Sequence, residues 1–190
     1  MEINVAELVT EAMAQAKSQV DIEGASGAVH RERSRRFVEA LGAGLRMRLA
    51  RPEVRVLTKH YDVHRQELGL NELLFDVLAC EIDKVSSARA GVKVSFITKG
   101  LWAIESEFAR DPREALYDFN KLVLADCESK LFVGSHTADD PGYLRVLASA
   151  AAHCRGEVYV ALLPHPDGWR EPGSKAVTSY RWVAGDWAQQ

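Results

Sequence analysis

The sequence predicts an α/β protein, and three observations carry that reading. Segments of helical and of strand periodicity follow one another in the order helix, strand, strand, strand, helix, strand, helix, strand. One strand segment, Leu73 to Cys80, is a nearly continuous apolar run, which suits a central strand covered on both faces. The chain has 190 residues and an apolar fraction of 47%, enough for one domain with a sizeable core.

Taken in order, residues 3–20 read as a helix, because Val5, Leu8, Val9, Met13 and Ala16 recur at helical spacing. Glu23-Gly24-Ala25-Ser26-Gly27 is a flexible break and a linker. The expected organisation is therefore an N-terminal helix or arm over residues 1–26 and a single domain over 27–190. A second helix runs from about His30 to Leu49, with Phe37, Leu41, Leu45 and Leu49 as its apolar stripe. Its start is crowded with Arg31, Arg33, Arg35 and Arg36, and cations are electrostatically unfavourable at a helix N-terminus. Phosphates would relieve that cost; a solvated helix start is the equal alternative. Glu39 lies on the same helix.

Pro52 stops that helix. Val54 to Thr58 is a strand that runs into a polar loop holding Lys59, His60, His64 and Arg65. The apolar run from Leu73 to Cys80 reads as a central strand with Asp76 in its middle, a short helix being the competing reading. A carboxylate buried there needs a partner or a metal. Residues 81–91 read as a polar loop, Val92 to Ile97 as an extra strand, and Thr98-Lys99-Gly100 as a turn.

The stretch Leu101-Trp102-Ala103-Ile104-Glu105-Ser106-Glu107-Phe108 is the pivot. As a strand it places Trp102, Ile104, Ser106 and Phe108 on one face and Leu101, Ala103, Glu105 and Glu107 on the other. Two like charges roughly 7 Å apart on one strand face are awkward for a core. A hard divalent cation would resolve that, as would simple emergence of the strand into water. Next, Asp111, Pro112 and Glu114 announce a helix that carries Asp118 and Lys121. Lys130 to Gly134 is a strand, Asp139-Asp140-Pro141 caps another helix, and Val158 to Leu163 is a last clear strand. Trp169, Trp182 and Trp187 lie in the tail, to anchor it or to meet a partner.

The net charge of −3 gives no global pull toward nucleic acid or acidic membranes. Cys80, Cys127 and Cys154 form no CxxC pair and are odd in number, which argues against a zinc framework or disulfides. No basic n-region with an apolar h-region stands at the N-terminus, and no run approaches the ~20 apolar residues of a membrane span. A soluble, cytoplasmic protein with no membrane partner is expected. GxxxxGK[ST], GxSxG and HExxH motifs are absent, and a thiol nucleophile is disfavoured by the apolar surroundings of each cysteine.

The element order and the placement of Glu39, Asp76, Glu105 and Glu107 resemble the PD-(D/E)xK, or restriction-endonuclease-like, nuclease superfamily. Phe75-Asp76-Val77 looks like the first half of its motif, and Glu105-Ser106-Glu107 like the second, with Glu107 where Lys is usual. The resemblance covers residues 30–135. It implies a restriction-endonuclease-like core, an α-β-β-β-α-β mixed sheet flanked by helices, with an added N-terminal helix and a C-terminal helix-strand extension. It also implies a Mg2+-dependent (or Mn2+-dependent) endonuclease acting on DNA phosphodiester bonds. Asp76 and Glu105 would hold the ion, with Glu39 as a further or water-mediated ligand. Glu107 would orient or deprotonate water, and Lys121 on the following helix would stand in for the motif Lys. Arg31, Arg33, Arg35, Arg36, Lys59 and Arg65 would contact phosphates. A homodimer would supply the two sites that cutting both strands usually needs. The alternative is a catalytically inactive relative that acts as a nucleic-acid-binding or assembly protein, its acids paired with bases such as Lys121.

Overall fold

A computed structural model describes residues 3–18, 26–88, 91–169 and 175–190. Two helices come first, α1 (Val5–Ser18) and α2 (Ser26–Arg48). Then follow β1 (Val54–Thr58), a 3-10 turn (Asp62–His64), the one-turn α3 (Arg65–Leu68), β2 (Val77–Ser86) and β3 (Lys93–Glu107). The second half comprises α4 (Pro112–Leu124), β4 (Cys127–Ser135), α5 (Asp140–Ala151), β5 (Glu157–Leu163), a 3-10 turn (Pro166–Gly168), β6 (Thr178–Val183) and β7 (Asp186–Gln189).

The strands form one seven-stranded open sheet in the order β1-β2-β3-β4-β5-β6-β7. β3, β4 and β5 are parallel to one another, and all other neighbours are antiparallel. The parallel pairs need crossover connections, and α4 and α5 supply them. Strand alternation splits the core. Val56, Val77, Ala79, Trp102, Ile104, Val133 and Ala161 face α1 and α2; Leu78, Cys80, Ala103, Phe132, Val160 and Leu162 face α4 and α5.

Each helix buries one stripe. Val5, Leu8, Val9, Ala12 and Ala16 of α1 pack into the same apolar cluster as Phe37, Leu41 and Leu45 of α2, so α1 is an added helix of the core. A Cβ at Gly44 would lie 2.6 Å from Leu8 Cδ1, so α1 and α2 cross where one of them has no side chain. Asp111 caps α4 by accepting from Arg113 N–H at 2.9 Å, and Asp139 caps α5 by accepting from Gly142 N–H at 2.9 Å.

Several expectations need correction. Residues 23–25 of the predicted break lie outside the described residues, while Ser26 and Gly27 already belong to α2. Residues 81–86 are not loop, and Thr98-Lys99-Gly100 is not a turn. β2 and β3 form one long hairpin, with register shifts at Ala79/Cys80 and Glu81/Ile82. Its outer part is mostly exposed on both faces (Asp83, Lys84, Val85, Lys93, Val94 and Phe96), so it lacks the alternation that marks a half-buried strand. Asp76 is not mid-strand but stands immediately before β2. The tail forms two further antiparallel strands, β6 and β7. Trp182 and Trp187 pair at 4.9 Å, and Trp187 Nε1 donates to Leu144 O of α5 at 2.9 Å. Among the described residues no helix is long and apolar enough to cross a membrane.

Candidate active site at the C-terminal edge of the parallel strands

In an open α/β sheet the carboxyl ends of the parallel strands are where ligands collect. Here that edge carries the ends of β3 at Glu107, β4 at Ser135 and β5 at Leu163. β2 runs the other way, and its first residue Val77 pairs with Ile104. One step further along this antiparallel register sets Asp76 beside Glu105, so an acid before β2 and an acid near the end of β3 meet at one edge.

Ser106 holds Asp76. Its backbone N–H and its hydroxyl both donate to Asp76 Oδ2, at 2.9 and 2.6 Å. Burial raises the Asp76 pKa against those two bonds. Glu105 is 2% exposed. Lys121 Nζ donates to its Oε2 at 3.1 Å, while Oε1 is buried with no hydrogen-bond partner. Burial, with the charge of Asp76 added, pushes the Glu105 carboxyl up to about 8. Lys121 Nζ also pairs with Asp118 Oδ1 at 2.7 Å. Burial works to lower the Lys121 pKa, but its bonds to Asp118 and Glu105 outweigh this and raise it. Glu107 is half-buried and accepts from Ala109 N–H at 2.6 Å. Its pKa is raised by burial and by the nearby carboxyl of Asp118, against the bond from Ala109.

Asp76, Glu105, Glu107 and Lys121 are thus gathered as the sequence suggests, around an additional acid, Asp118. Its signal was its position three residues before Lys121, on one face of α4. By pattern Ser106 is only a strand residue; its grip on Asp76 depends on pairing across 30 residues and has no local signature. Glu39 is elsewhere. Its Oε1 accepts from His60 N–H at 3.3 Å and its Oε2 from the Thr58 hydroxyl at 3.4 Å, which ties α2 to the end of β1. Glu39, Asp76 and Glu105 do not bring three ligand atoms within 4.8 Å of one another; among the described residues the group that does so is a different one.

No known family profile, curated protein or solved structure matches this chain.

The basic residues divide sharply. Arg33 is buried, and its Nη1 donates to the carbonyls of Pro166 and Asp167, so it is a structural clamp and not an exposed phosphate contact. Arg35 and Arg36 both pair with Glu32, whose carboxyl is held down at about 2 mainly by its bond to Arg35. That internal acid relieves much of the charge crowding attributed to the start of the helix. Arg31 and Arg65 are exposed. Arg35 and Lys59, with Ser34, His60, Asp76 and Ser106, line a cleft of about 310 Å3 beside the acidic cluster. His64 is half-buried against Tyr61, with ring centroids 5.4 Å apart, and burial lowers its pKa. All three cysteines have pKa values raised by burial, Cys80 to about 11, which leaves the thiols unreactive at neutral pH.

Proposed function

We propose that the chain is a metal-dependent nuclease of the restriction-endonuclease-like kind that hydrolyses DNA phosphodiester bonds. The observation that carries this reading is the meeting of Asp76 with a buried Glu105 whose Oε1 has no partner. A buried carboxylate oxygen left unsatisfied is costly, and a hard divalent cation such as Mg2+ or Mn2+ is the ligand that oxygen donors of this kind take. Topology supports it too. The succession α2, β1, β2, β3, α4, β4 has the element order that such a core would require, with an acid before β2 and Glu-x-Glu on β3.

The residues fit the ion. Asp76 and Glu105 would hold it, with one oxygen of Asp76 fixed by Ser106 and one of Glu105 by Lys121. When bound, the ion would polarise the scissile phosphate and lower the pKa of the attacking water. The chain's own groups do the rest. Lys121 Nζ, anchored between Asp118 and Glu105, supplies positive charge where negative charge develops on the phosphate. Glu107, with its raised pKa, accepts a proton from water more readily than an ordinary carboxylate. Lys59 and Arg35 line the adjoining cleft, where they would position a backbone without reading its sequence.

The experiment is calorimetric titration of Mn2+ into the wild type and into Glu105→Ala. Binding by the wild type that is lost in the variant is the expected result. No binding by a folded wild type overturns the nuclease reading. It would leave the second reading, an inactive relative in a binding or assembly role, which the Lys121 pairing with Glu105 and Asp118 favours because it partly neutralises the cluster without a metal.

A further inference from the structure

We propose that His30, His165 and Asp167 form a second metal site, one that takes a divalent transition-metal ion of the zinc class and is distinct from the acidic cluster. His30 lies in the first turns of α2, His165 follows β5, and Asp167 sits in the 3-10 turn Pro166–Gly168. Each residue offers one ligand atom, and the three atoms lie within 4.8 Å of one another. The two imidazoles address opposite oxygens of one carboxylate. His30 Nδ1 is 3.9 Å from Asp167 Oδ1, and His165 Nδ1 is 3.3 Å from Asp167 Oδ2; His165 Nδ1 also accepts from the Asp167 backbone N–H at 3.3 Å, a bond that a bound ion would replace. Ligand atoms about 2.1 Å from a tetrahedral ion lie about 3.4 Å apart; the His165–Asp167 spacing already matches this, and His30 would close in slightly on a bound ion. The rings of His30 and His165 are 4.9 Å apart and tilted by 32°.

The surroundings hold this arrangement in place. Arg33 Nη1 bonds the carbonyls of Pro166 and Asp167. Trp169 Nε1 donates to Pro164 O at 2.6 Å, and its buried ring packs on Phe37 and Phe108. The carrier loop is therefore pinned at three carbonyls, which fixes the two ligands it bears. Phe108 meets His30 edge-on. His165 also lines an open cavity of about 380 Å3, and the exposed Asp167 leaves the group reachable from solvent. Two imidazoles and one carboxylate suit zinc, cobalt or nickel, whereas the all-oxygen Asp76–Glu105 pair suits Mg2+ or Mn2+.

The test is titration of Zn2+ at neutral pH into the wild type, His30→Gln, Asp167→Asn and Glu105→Gln, with Co2+ absorption as a second readout. The wild type and Glu105→Gln should each bind one Zn2+. His30→Gln and Asp167→Asn should bind at least tenfold more weakly. Co2+ should give ligand-field bands without a thiolate charge-transfer band. His30→Gln keeps the loop contacts of Arg33 and Trp169 intact, so a loss of binding there is not a loss of fold; circular dichroism checks this. Absence of Zn2+ binding in the wild type, wild-type affinity in both ligand variants, or a thiolate signature from Co2+ would each overturn the proposal.

Discussion

Lys121 of α4 reaches Glu105 of β3, with 3.1 Å between Nζ and Oε2, and leaves the second oxygen of that carboxylate buried without a partner. One cation therefore half-satisfies one acid, and a second acid, Asp76, stands beside it. The Glu105 carboxyl titrates at about 8 against an ordinary value of 4.5. A carboxyl raised in the folded state contributes stability that is full below its unfolded pKa and lost as pH rises through its folded pKa. The metal-free protein should therefore lose stability between about pH 4.5 and pH 8 and level off above that, and Glu105→Gln should flatten that loss. Thermal unfolding of both proteins across the range, with chelator present, measures it. A gap of several degrees at the alkaline end is expected, since about 1 kcal/mol moves Tm by ~2–4 °C at this size. Identical profiles would show that the fold leaves the Glu105 carboxyl at its ordinary value.

Metal binding should expel the same proton. With Glu105 titrating at about 8, roughly nine-tenths of it is protonated at pH 7 and roughly one-tenth at pH 9. Mn2+ titrations in buffers of different ionisation enthalpy should therefore report release of about one proton at pH 7 and nearly none at pH 9. Affinity should rise between the two. A pH-independent affinity would place the ion elsewhere.

Ser106→Ala removes the hydroxyl bond to Asp76 but keeps the backbone N–H bond at 2.9 Å. A hydrogen bond to a charged group is worth ~1.5–3 kcal/mol, and half of this pair survives. A loss of about 1–2 kcal/mol in denaturant unfolding is expected, together with weaker Mn2+ binding, because Asp76 then protonates more readily and is free to rotate. Unchanged Mn2+ affinity would mean that Ser106 does not position the acid.

What was legible from the residues alone follows from which signals are local. The α4 caps, the apolar stripes of α1 and α2, and the short apolar runs of β1 and β5 are all written within a few turns or pleats, and each element forms where its pattern predicts. The acids of β3 and the Lys on α4 could be placed together because the element order constrains which ends meet. The long hairpin was not legible, since its outer strands bury little on either face. Gly100 shows the cost of reading composition locally. It resembles a turn residue but sits inside β3, where a Cβ would lie 2.4 Å from Cys127 Sγ and 2.8 Å from Asp126 O. Gly100→Ala should accordingly destabilise the fold by ~1–3 kcal/mol through overpacking against β4, as chemical denaturation would report. His30 and His165 gave no spacing signal, because 135 residues separate them.

The arginines of α2 provide the sharpest contrast between charge in a sequence and charge on a surface. Arg33 is 6% exposed and spends its guanidinium on the carbonyls of Pro166 and Asp167. Arg33→Met keeps the apolar stem and leaves those carbonyls without their donor, so a destabilisation of about 2–4 kcal/mol is expected. Lys59 is exposed on the cleft beside Asp76, and Lys59→Ala should change stability by no more than ~0.5 kcal/mol. Binding to a short DNA duplex should respond in the opposite sense. Lys59→Ala should weaken it and reduce the slope of log affinity against log salt by about 1, while Arg33→Met, measured where it is folded, should leave that slope unchanged. A stable Arg33→Met with a shallower salt slope would return Arg33 to the phosphate-contacting role its position in the sequence suggests, and would require the loop from Pro164 to Trp169 to be held by other contacts.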